Sequence, residues 1–236
     1  MRKILTIIIF PLLMSSCIVY TPQLSSIPLM THKGEMQTSA ALQIDPMAQL
    51  QGNLDIAYAP TDHIAVQAFG SIGGGSHAIQ GKVGYYLPMR YHTVFEGYIG
   101  GGYGSHRYLG DTDTTGQYQH RFNSANTPLF VQLNYGFADL TWANIDVAFG
   151  IKGGLLNYES SETRNNVTEQ AQGTYGLVEP QFVLRLGPQN AKLQFQAGYC
   201  HIFVPAGDPA LNYVPFSCSF GLNFQFDTRR ESRHKQ

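Results

Sequence analysis

The chain has 236 residues, of which only 13% are charged, and its 15 lysines and arginines nearly balance its 16 aspartates and glutamates. A protein without a basic excess has no general attraction for nucleic acid, which excludes a nucleic-acid partner. A soluble domain typically carries about 25% charged residues, so this composition also argues against an ordinary water-exposed surface.

The first 17 residues follow the order of a bacterial secretory signal. A basic start at residues 1–3 precedes an apolar run at residues 4–13, which is too short to span a bilayer, and small residues then lead to Cys17. This end resembles a lipobox, so we predict cleavage after residue 16 and acylation of Cys17, with palmitate among the chains. An ordinary signal peptide with an incidental Cys17 is the alternative. The predicted divisions are a signal at 1–16, a lipid-anchored tether at 17–34, a barrel at 35–226 and a polar tail at 227–236.

From residue 35 onward, apolar residues alternate with small or polar ones, which is the period of strands with two different faces. The last strand is the clearest, with Phe216, Phe220 and Phe226 on one face and Ser217 and Asn223 on the other. Ten strands are predicted, at 36–44, 50–58, 64–71, 77–86, 93–103, 129–137, 144–156, 174–186, 192–200 and 215–226. Pro180 interrupts one of them, since proline lacks the N–H that a ladder needs.

The polar faces are rich in Gln, Asn, Ser and Gly and poor in the Lys and Glu typical of water-facing surfaces. This favours polar faces that point inward and apolar faces that contact lipid. The sequence therefore predicts an all-β fold, an antiparallel up-and-down β-barrel of about ten strands of the outer-membrane type. The alternative is a soluble, lipocalin-like barrel tethered by Cys17, which would hold an apolar ligand inside and bury the face from Phe216 to Phe226.

The predicted connections differ in length at the two ends of the barrel. The three longest, 104–128, 157–173 and 201–214, are all odd-numbered, and every even-numbered connection is short. Outer-membrane barrels have short periplasmic turns and longer extracellular loops, so both chain ends are expected at the periplasmic side. We therefore expect the Cys17 anchor in the inner leaflet and the lone Trp142 in a periplasmic turn.

The segment before the first strand contains Tyr20-Thr21-Pro22, Ile27-Pro28-Leu29 and His32-Lys33-Gly34-Glu35. Together with the alternating strands, it looks like the small outer-membrane barrel lipoproteins of Bacteroidetes-type bacteria, over most of the mature chain. This resemblance implies a location in the outer membrane and a structural or cell-surface interaction role. Proteins of this kind largely lack an assigned activity. The polar tail after Phe226 departs from the usual outer-membrane pattern of ending at an aromatic residue.

A ten-stranded barrel is narrow, so we expect side chains to plug its lumen. Charged residues of both signs are predicted to point inward and to pair, because an unpaired buried charge is costly. A solute path or proton-linked site is the alternative. The predicted lumen network comprises Asp55, Lys82, Glu96, Asp146, Lys152, Glu179 and Arg185, with Lys192 also facing inward.

No catalytic residues, metal or cofactor are predicted. Ser105 and His106 are adjacent and so point to opposite strand faces, which makes a poor nucleophile and base. A serine on a neighbouring strand could still partner one of the rim histidines, and such a pair would support the second alternative, an outer-membrane acyl hydrolase or acyltransferase. These rim histidines are His77, His106, His120 and His201.

The expected partners are outer-membrane lipids and a glycan or protein ligand at the extracellular loops, which carry Tyr103, Arg107 and Arg121. Asp113-Thr114-Thr115 matches a short O-glycosylation motif. Cys200 and Cys218 are expected on opposite sides of the sheet as free thiols.

Overall fold

The computed structural model describes residues 20–44, 50–109, 120–140, 144–164, 167–188, 190–204 and 213–228. Cys17, Trp142 and the motif at residues 113–115 lie outside these ranges. Within them no helix is long and apolar enough to cross a membrane. The described strands are β1 (Glu35–Ile44), β2 (Leu50–Tyr58), β3 (Ile64–Gly73), β4 (Ser76–Pro88), β5 (Thr93–Leu109), β6 (His120–Leu140), β7 (Ile145–Arg164), β8 (Val167–Leu186), β9 (Ala191–Tyr199), β10 (His201–Phe203) and β11 (Phe216–Asp227).

The strands form one closed antiparallel sheet. Each strand from β1 to β8 pairs with the next, β8 pairs with β9 and β10, β9 pairs with β11, and β11 returns to β1. Strands β9 and β10 are two parts of one line, because Gly198 opposite Gln181 and His201 opposite Val178 are in the same register. The interruption lies opposite Pro180, which has no N–H to donate. The prediction of a ten-stranded antiparallel barrel is thus confirmed.

The outer surface of the barrel is apolar and the inner surface is polar. On the last hairpin, Phe220 is 59% exposed and Leu193 is 66% exposed. Their strand neighbours Gln194, Ser219 and Asn223 are buried inside. The lipocalin-like alternative is therefore wrong, because it required the face from Phe216 to Phe226 to be internal. An apolar outer band around a polar interior is the distribution of a membrane barrel.

The strands β5 to β8 continue well beyond their predicted ends. Residues 104–128 and 157–173 were expected to form loops, but most of them extend these strands as two long hairpins. The hairpin between β7 and β8 remains paired as far as Arg164 opposite Val167. The sequence pattern missed this extension because both of its faces carry polar residues, so the period-two contrast disappears while the hydrogen bonding continues.

The two ends of the barrel differ in height. The short turns that follow β2, β4, β6 and β8 lie at one end, together with the start of β1 and the end of β11, where Glu35 pairs with Asp227. By the asymmetry of outer-membrane barrels this is the periplasmic end. At the opposite, external end, β5 to β8 form a tall wall, whereas β1 stops at Ile44 and β3 at Gly73. We call the β1 to β3 side of this end the low rim.

Candidate functional site

The lumen is occupied by the chain's own N-terminal segment, residues 20–31, which we call the lumen segment. Its residues from Gln23 to Met30 are buried. Two contacts with β1, and one with Asp55 of β2, which stands opposite Ser39 of β1, show that it runs antiparallel to β1. The Gln43 side chain donates to the carbonyl of Pro22 at 2.9 Å, the Ser26 N–H donates to Asp55 at 3.0 Å, and the Thr31 N–H donates to Glu35 at 2.7 Å. Residues 20–31 of the predicted tether, 17–34, thus pass through the barrel.

Carboxylates of the lumen accept hydrogen bonds from backbone N–H groups of the lumen segment. Asp55 accepts from Ser26, and Glu96 accepts from Met30 at 2.9 Å. Asp55 is also bonded by Gln67 at 3.0 Å, and Glu96 by Asn134 at 3.0 Å. Because a segment without a strand partner must satisfy its N–H groups elsewhere, these carboxylates replace the missing ladder.

Cations of the lumen donate to the oxygen atoms of the same segment. Lys82 donates to the Ser25 hydroxyl at 3.0 Å, and Lys152 donates to the Gln23 carbonyl at 3.4 Å. Arg185 donates to the Ser26 hydroxyl at 2.7 Å and to the carbonyl of Ile27. The signs of the lumen charges therefore match the polarity of the backbone that they hold.

Ion pairs among β7, β8 and β9 neutralise part of this network. Lys152 pairs with Glu179, and Lys192 pairs with Asp146 at 2.6 Å. Arg185 lies 3.7 Å from Asp146. Lys152 stands directly opposite Glu179 and Asp146 directly opposite Arg185 in the pairing of β7 with β8, which brings the charges together on the inner face.

The structure places all seven residues of the predicted lumen network, together with Lys192, inside the barrel and buried. What the sequence did not indicate is their ligand, the lumen segment. A usable signal was present, since Leu24, Ile27, Leu29 and Met30 are unexpectedly apolar for a water-exposed tether. Pro22 and Pro28 add to it, because proline has no N–H to satisfy in an unpaired buried strand.

Apolar side chains of the lumen segment fill the remaining space. Ile27 and Leu29 pack against Val94, Ala148 and Val183. Two inward glycines leave room for the segment. A Cβ at Gly150 would lie 2.9 Å from Cδ1 of Ile27, and one at Gly198 would lie 2.4 Å from Cδ2 of Leu24. Met30 packs near the periplasmic end against Ala57, Ala59, Ala65, Tyr86 and Tyr98.

At the external end, Tyr20 closes the lumen. Its ring is buried in an apolar cluster with Phe122, Leu156, Tyr158, Tyr175, Leu177, Cys200 and Ile202. Its carbonyl accepts from the Val214 N–H at 3.0 Å, in the connection between β10 and β11. Tyr158 and Tyr175 stack above it with ring centroids 5.3 Å apart. The lumen segment is therefore fixed at both ends.

A second cavity lies on the outward face of the tall wall, and we call it the external cleft. It has a volume of about 1220 Å³ and is lined by polar side chains, small residues such as Ala125, and the ring of Tyr103. Tyr103, Arg107, Glu159 and Gln172 contribute donors, acceptors and both signs of charge. Such a surface suits a polar ligand at the water-exposed part of the barrel.

The cleft contains a serine next to a rim histidine on the neighbouring strand, an arrangement that the sequence analysis allowed but could not assign. Ser105 Oγ lies 3.1 Å from Nε2 and 3.3 Å from Nδ1 of His77. Because the Ser105 oxygen is at similar distances from the two ring nitrogens, it lies beside the ring edge between them. It is therefore not in line with the lone pair of either nitrogen. Among the described residues no carboxylate contacts His77 to orient it, so this pair lacks the arrangement that activates a serine.

The other candidate groups are separated. His106 is buried on the inner face, His201 is exposed on the outer face, and the side chain of His120 lies outside the described residues. In the described part of the chain, no three His, Cys, Asp or Glu side chains could hold a metal ion together. Cys200 is buried inside, while Cys218 is half-buried on the outward face, and both are free thiols.

The fold and its two faces define a closed outer-membrane β-barrel. No protein-family model and no curated protein matches the chain. Among solved structures, it is similar to the outer-membrane protease OmpT from Escherichia coli, at 8% identity over 82% of this chain and 94% of that chain, with a TM-score of 0.56. It also matches the translocator domain of the autotransporter NalP from Neisseria meningitidis, at 12% identity over 81% and 87%, with a TM-score of 0.45. Neisserial surface protein A matches at 11% identity over 82% and 94%, with a TM-score of 0.33. The likeness to OmpT concerns the fold alone.

Proposed function

We propose that this protein is a lipid-anchored outer-membrane barrel whose lumen is closed by its own N-terminal segment and whose role is structural or interactive at the cell surface. The observation that carries this proposal is the occupation of the lumen by residues 20–31. Carboxylates and cations of the barrel wall bind the backbone of these residues at several levels. A lumen filled and bonded in this way serves as a support for the external wall and leaves no path for a solute.

The lipid anchor in this proposal is Cys17. It ends a signal that resembles a lipobox and lies only three residues before Tyr20, where the lumen segment begins. Buried acyl chains contribute about 0.8 kcal/mol per methylene, so two or more of them hold a protein durably to a membrane. This assignment agrees with the resemblance to Bacteroidetes-type barrel lipoproteins.

The external cleft is the surface that we assign to a partner, and its partner class is a glycan or a protein. Tyr103 is 46% exposed there, and Arg107 and Glu159 are exposed beside it. An exposed aromatic ring flanked by both signs of charge binds sugars or polar peptides by stacking and hydrogen bonding. The proposal includes no catalytic step.

Conductance in planar bilayers tests the closed lumen. We expect the full protein to give no current steps, because the lumen segment and its partners exclude ions. A variant that lacks residues 20–31 loses this filling and is expected to conduct. Unboiled and boiled gel migration shows that both proteins fold as barrels. Current steps of equal size from the two proteins would show that the segment does not close the lumen.

Metabolic labelling with a palmitate analogue tests the anchor separately. The parent is expected to incorporate the label, whereas Cys17→Ser is expected to lose it and to remain membrane-integrated through its strands. Equal labelling of parent and variant would rule out Cys17 as the acylated residue, and the result does not depend on whether the lumen is closed.

A further inference from the structure

We propose that the lipidated N-terminus leaves the barrel at its external end, so that the acyl chains of Cys17 enter the outer leaflet at the cell surface. This inference rests on the proposed acylation of Cys17 and deepens it, since it assigns the leaflet. It also reverses the sequence-based expectation of an anchor in the inner leaflet.

The direction of the lumen segment shows at which end of the barrel it begins. Strand β1 begins with Glu35 at the periplasmic end and finishes with Ile44 at the external end. Thr31 contacts Glu35, near the beginning of this strand, and Pro22 contacts Gln43, one residue before its end. The chain therefore passes from the external to the periplasmic end as residue numbers increase, and the described segment begins at the external end with Tyr20.

Tyr20 lies near the external limit of the membrane-facing surface. The backbone of Tyr20 bridges to Tyr213 and accepts from Val214, both in the connection that links β10 to β11 at the external end. Its ring packs at the level of Leu156 and Tyr175. On the outward face next to Leu156, Leu155 is the last large apolar residue of β7, and Asn157 and Glu159 follow it. Tyr20 thus lies at the external edge of the apolar band.

Chain length decides which leaflet Cys17 can reach. Cys17 precedes Tyr20 by three residues, and three fully extended residues span at most about 11 Å. The apolar band of an outer-membrane barrel is about 25 Å tall. From the external edge of this band, Cys17 therefore cannot return to the periplasmic leaflet, and the lumen below Tyr20 is already filled by residues 20–31.

The low rim is the side of the external end where the membrane-facing surface comes closest to the barrel mouth. The tall wall of β5 to β8 blocks one side of the external end, whereas β1 and β3 stop at Ile44 and Gly73. Outward apolar residues border this low side, where Ile44 is 47% exposed and Ile72 is 73% exposed. On this side, lipid-facing residues therefore extend close to the external mouth of the barrel.

Labelling of intact cells with a membrane-impermeant maleimide tests the leaflet. Two cysteine reporters are compared in a background of Cys200→Ala and Cys218→Ala, and the same background without a reporter gives the labelling that is due to Cys17. They are Val19→Cys, next to the lumen segment, and Ser232→Cys, in the tail that follows the periplasmic end of β11. We expect Val19→Cys to be labelled on intact cells at least tenfold more than Ser232→Cys, which should react only after the outer membrane is permeabilised. Labelling of Val19→Cys only after permeabilisation would overturn the proposal.

An epitope inserted between residues 19 and 20 provides a second readout without cysteine changes. Antibody binding to intact cells is the expected result, and binding only after permeabilisation would overturn the proposal. Gel migration of the unboiled protein identifies folded barrels in both experiments. Palmitate labelling of the same cells tests the acylation of Cys17 separately from the direction of the lumen segment. Cells whose protein takes up no palmitate label would refute the acylation, whereas the accessibility of the reporter supports or refutes the direction.

Discussion

The strands β5 to β8 pass through two regions, the lipid-embedded barrel and the external wall, and the same ladders have different side chains in each. In the embedded region, outward Leu133 and Tyr135 contrast with inward Gln132 and Asn134. In the wall, outward Ser161 and inward Ser160 are both polar. The backbone pairing is continuous across both regions. A contrast between faces therefore reports the solvent on each side of a sheet, and its loss does not mark the end of a strand.

The two regions also differ in how their charges are satisfied. Lumen charges are fully buried and depend on fixed partners in the lumen segment or on a facing strand. Charges on the wall, such as Arg107, are exposed to water. Matched substitutions in the two regions should therefore have very different effects on the free energy of unfolding.

The largest difference is expected for arginine. Arg185→Ala removes the donors to Ser26 and Ile27 and leaves Asp146 with one cation fewer. Breaking a buried pair by removing one partner costs about 3–5 kcal/mol. Arg107→Ala on the wall is the matched control and should change stability by no more than about 0.5 kcal/mol. Urea unfolding in detergent micelles measures both, and equal unfolding midpoints would contradict the contrast between the regions.

The outward faces provide the next comparison. Leu222 lies near the middle of β11, opposite Ala40 and Leu193, and faces lipid. Leu222→Arg should destabilise the barrel by about 2–4 kcal/mol, the cost of an arginine near the bilayer midplane. Gln170→Arg, on the outward face of the wall, should be nearly neutral because water surrounds it. The readout is unfolding from lipid vesicles, and a destabilising Gln170→Arg would place the wall within the membrane.

The smallest of the three effects tests how tightly the lumen segment fits. Gly150→Val places a side chain where its Cβ would meet Asn134 Oδ1 at 2.7 Å and Ile27 Cδ1 at 2.9 Å. Overpacking of this kind costs about 1–3 kcal/mol. Gly81→Val is the control, since nothing lies within 4 Å of its Cβ position. The thermal shift of the unboiled gel band measures the difference, and similar shifts would show that the segment fits loosely.

The embedded barrel was predictable because each of its strands has one face in lipid and one in a polar lumen. This asymmetry repeats every two residues, and it also placed Asp55, Lys82 and Arg185 on the inner face before their partners were known. The break beside Pro180 follows from the missing N–H of proline in the same local way. Features that depend on one residue and its strand neighbours were therefore accessible from sequence.

The lumen segment and the wall were not predictable by this reasoning. The segment has no strand partner and no regular period, and its contacts are remote in sequence, as between Ser25 and Gln196, 171 residues apart. Only the folded barrel brings these groups together. The wall was missed for a different reason, since polar residues on both faces of much of its sheet remove the pattern that defines strands in the membrane. The predicted lipid anchor at Cys17 and the predicted divisions of the chain stay predictions.

The turn at Gly34, where φ is 82°, joins the lumen segment to β1 at the periplasmic end. The lumen segment therefore passes through a barrel formed by the same chain and is covalently joined to that barrel at the periplasmic end. Tension applied to the external end of the lumen segment would act through residues 20–31 on the start of β1, where β1 pairs with β11 to close the barrel. One covalent path thus links the external end of the barrel to the periplasmic end of the β1–β11 pair.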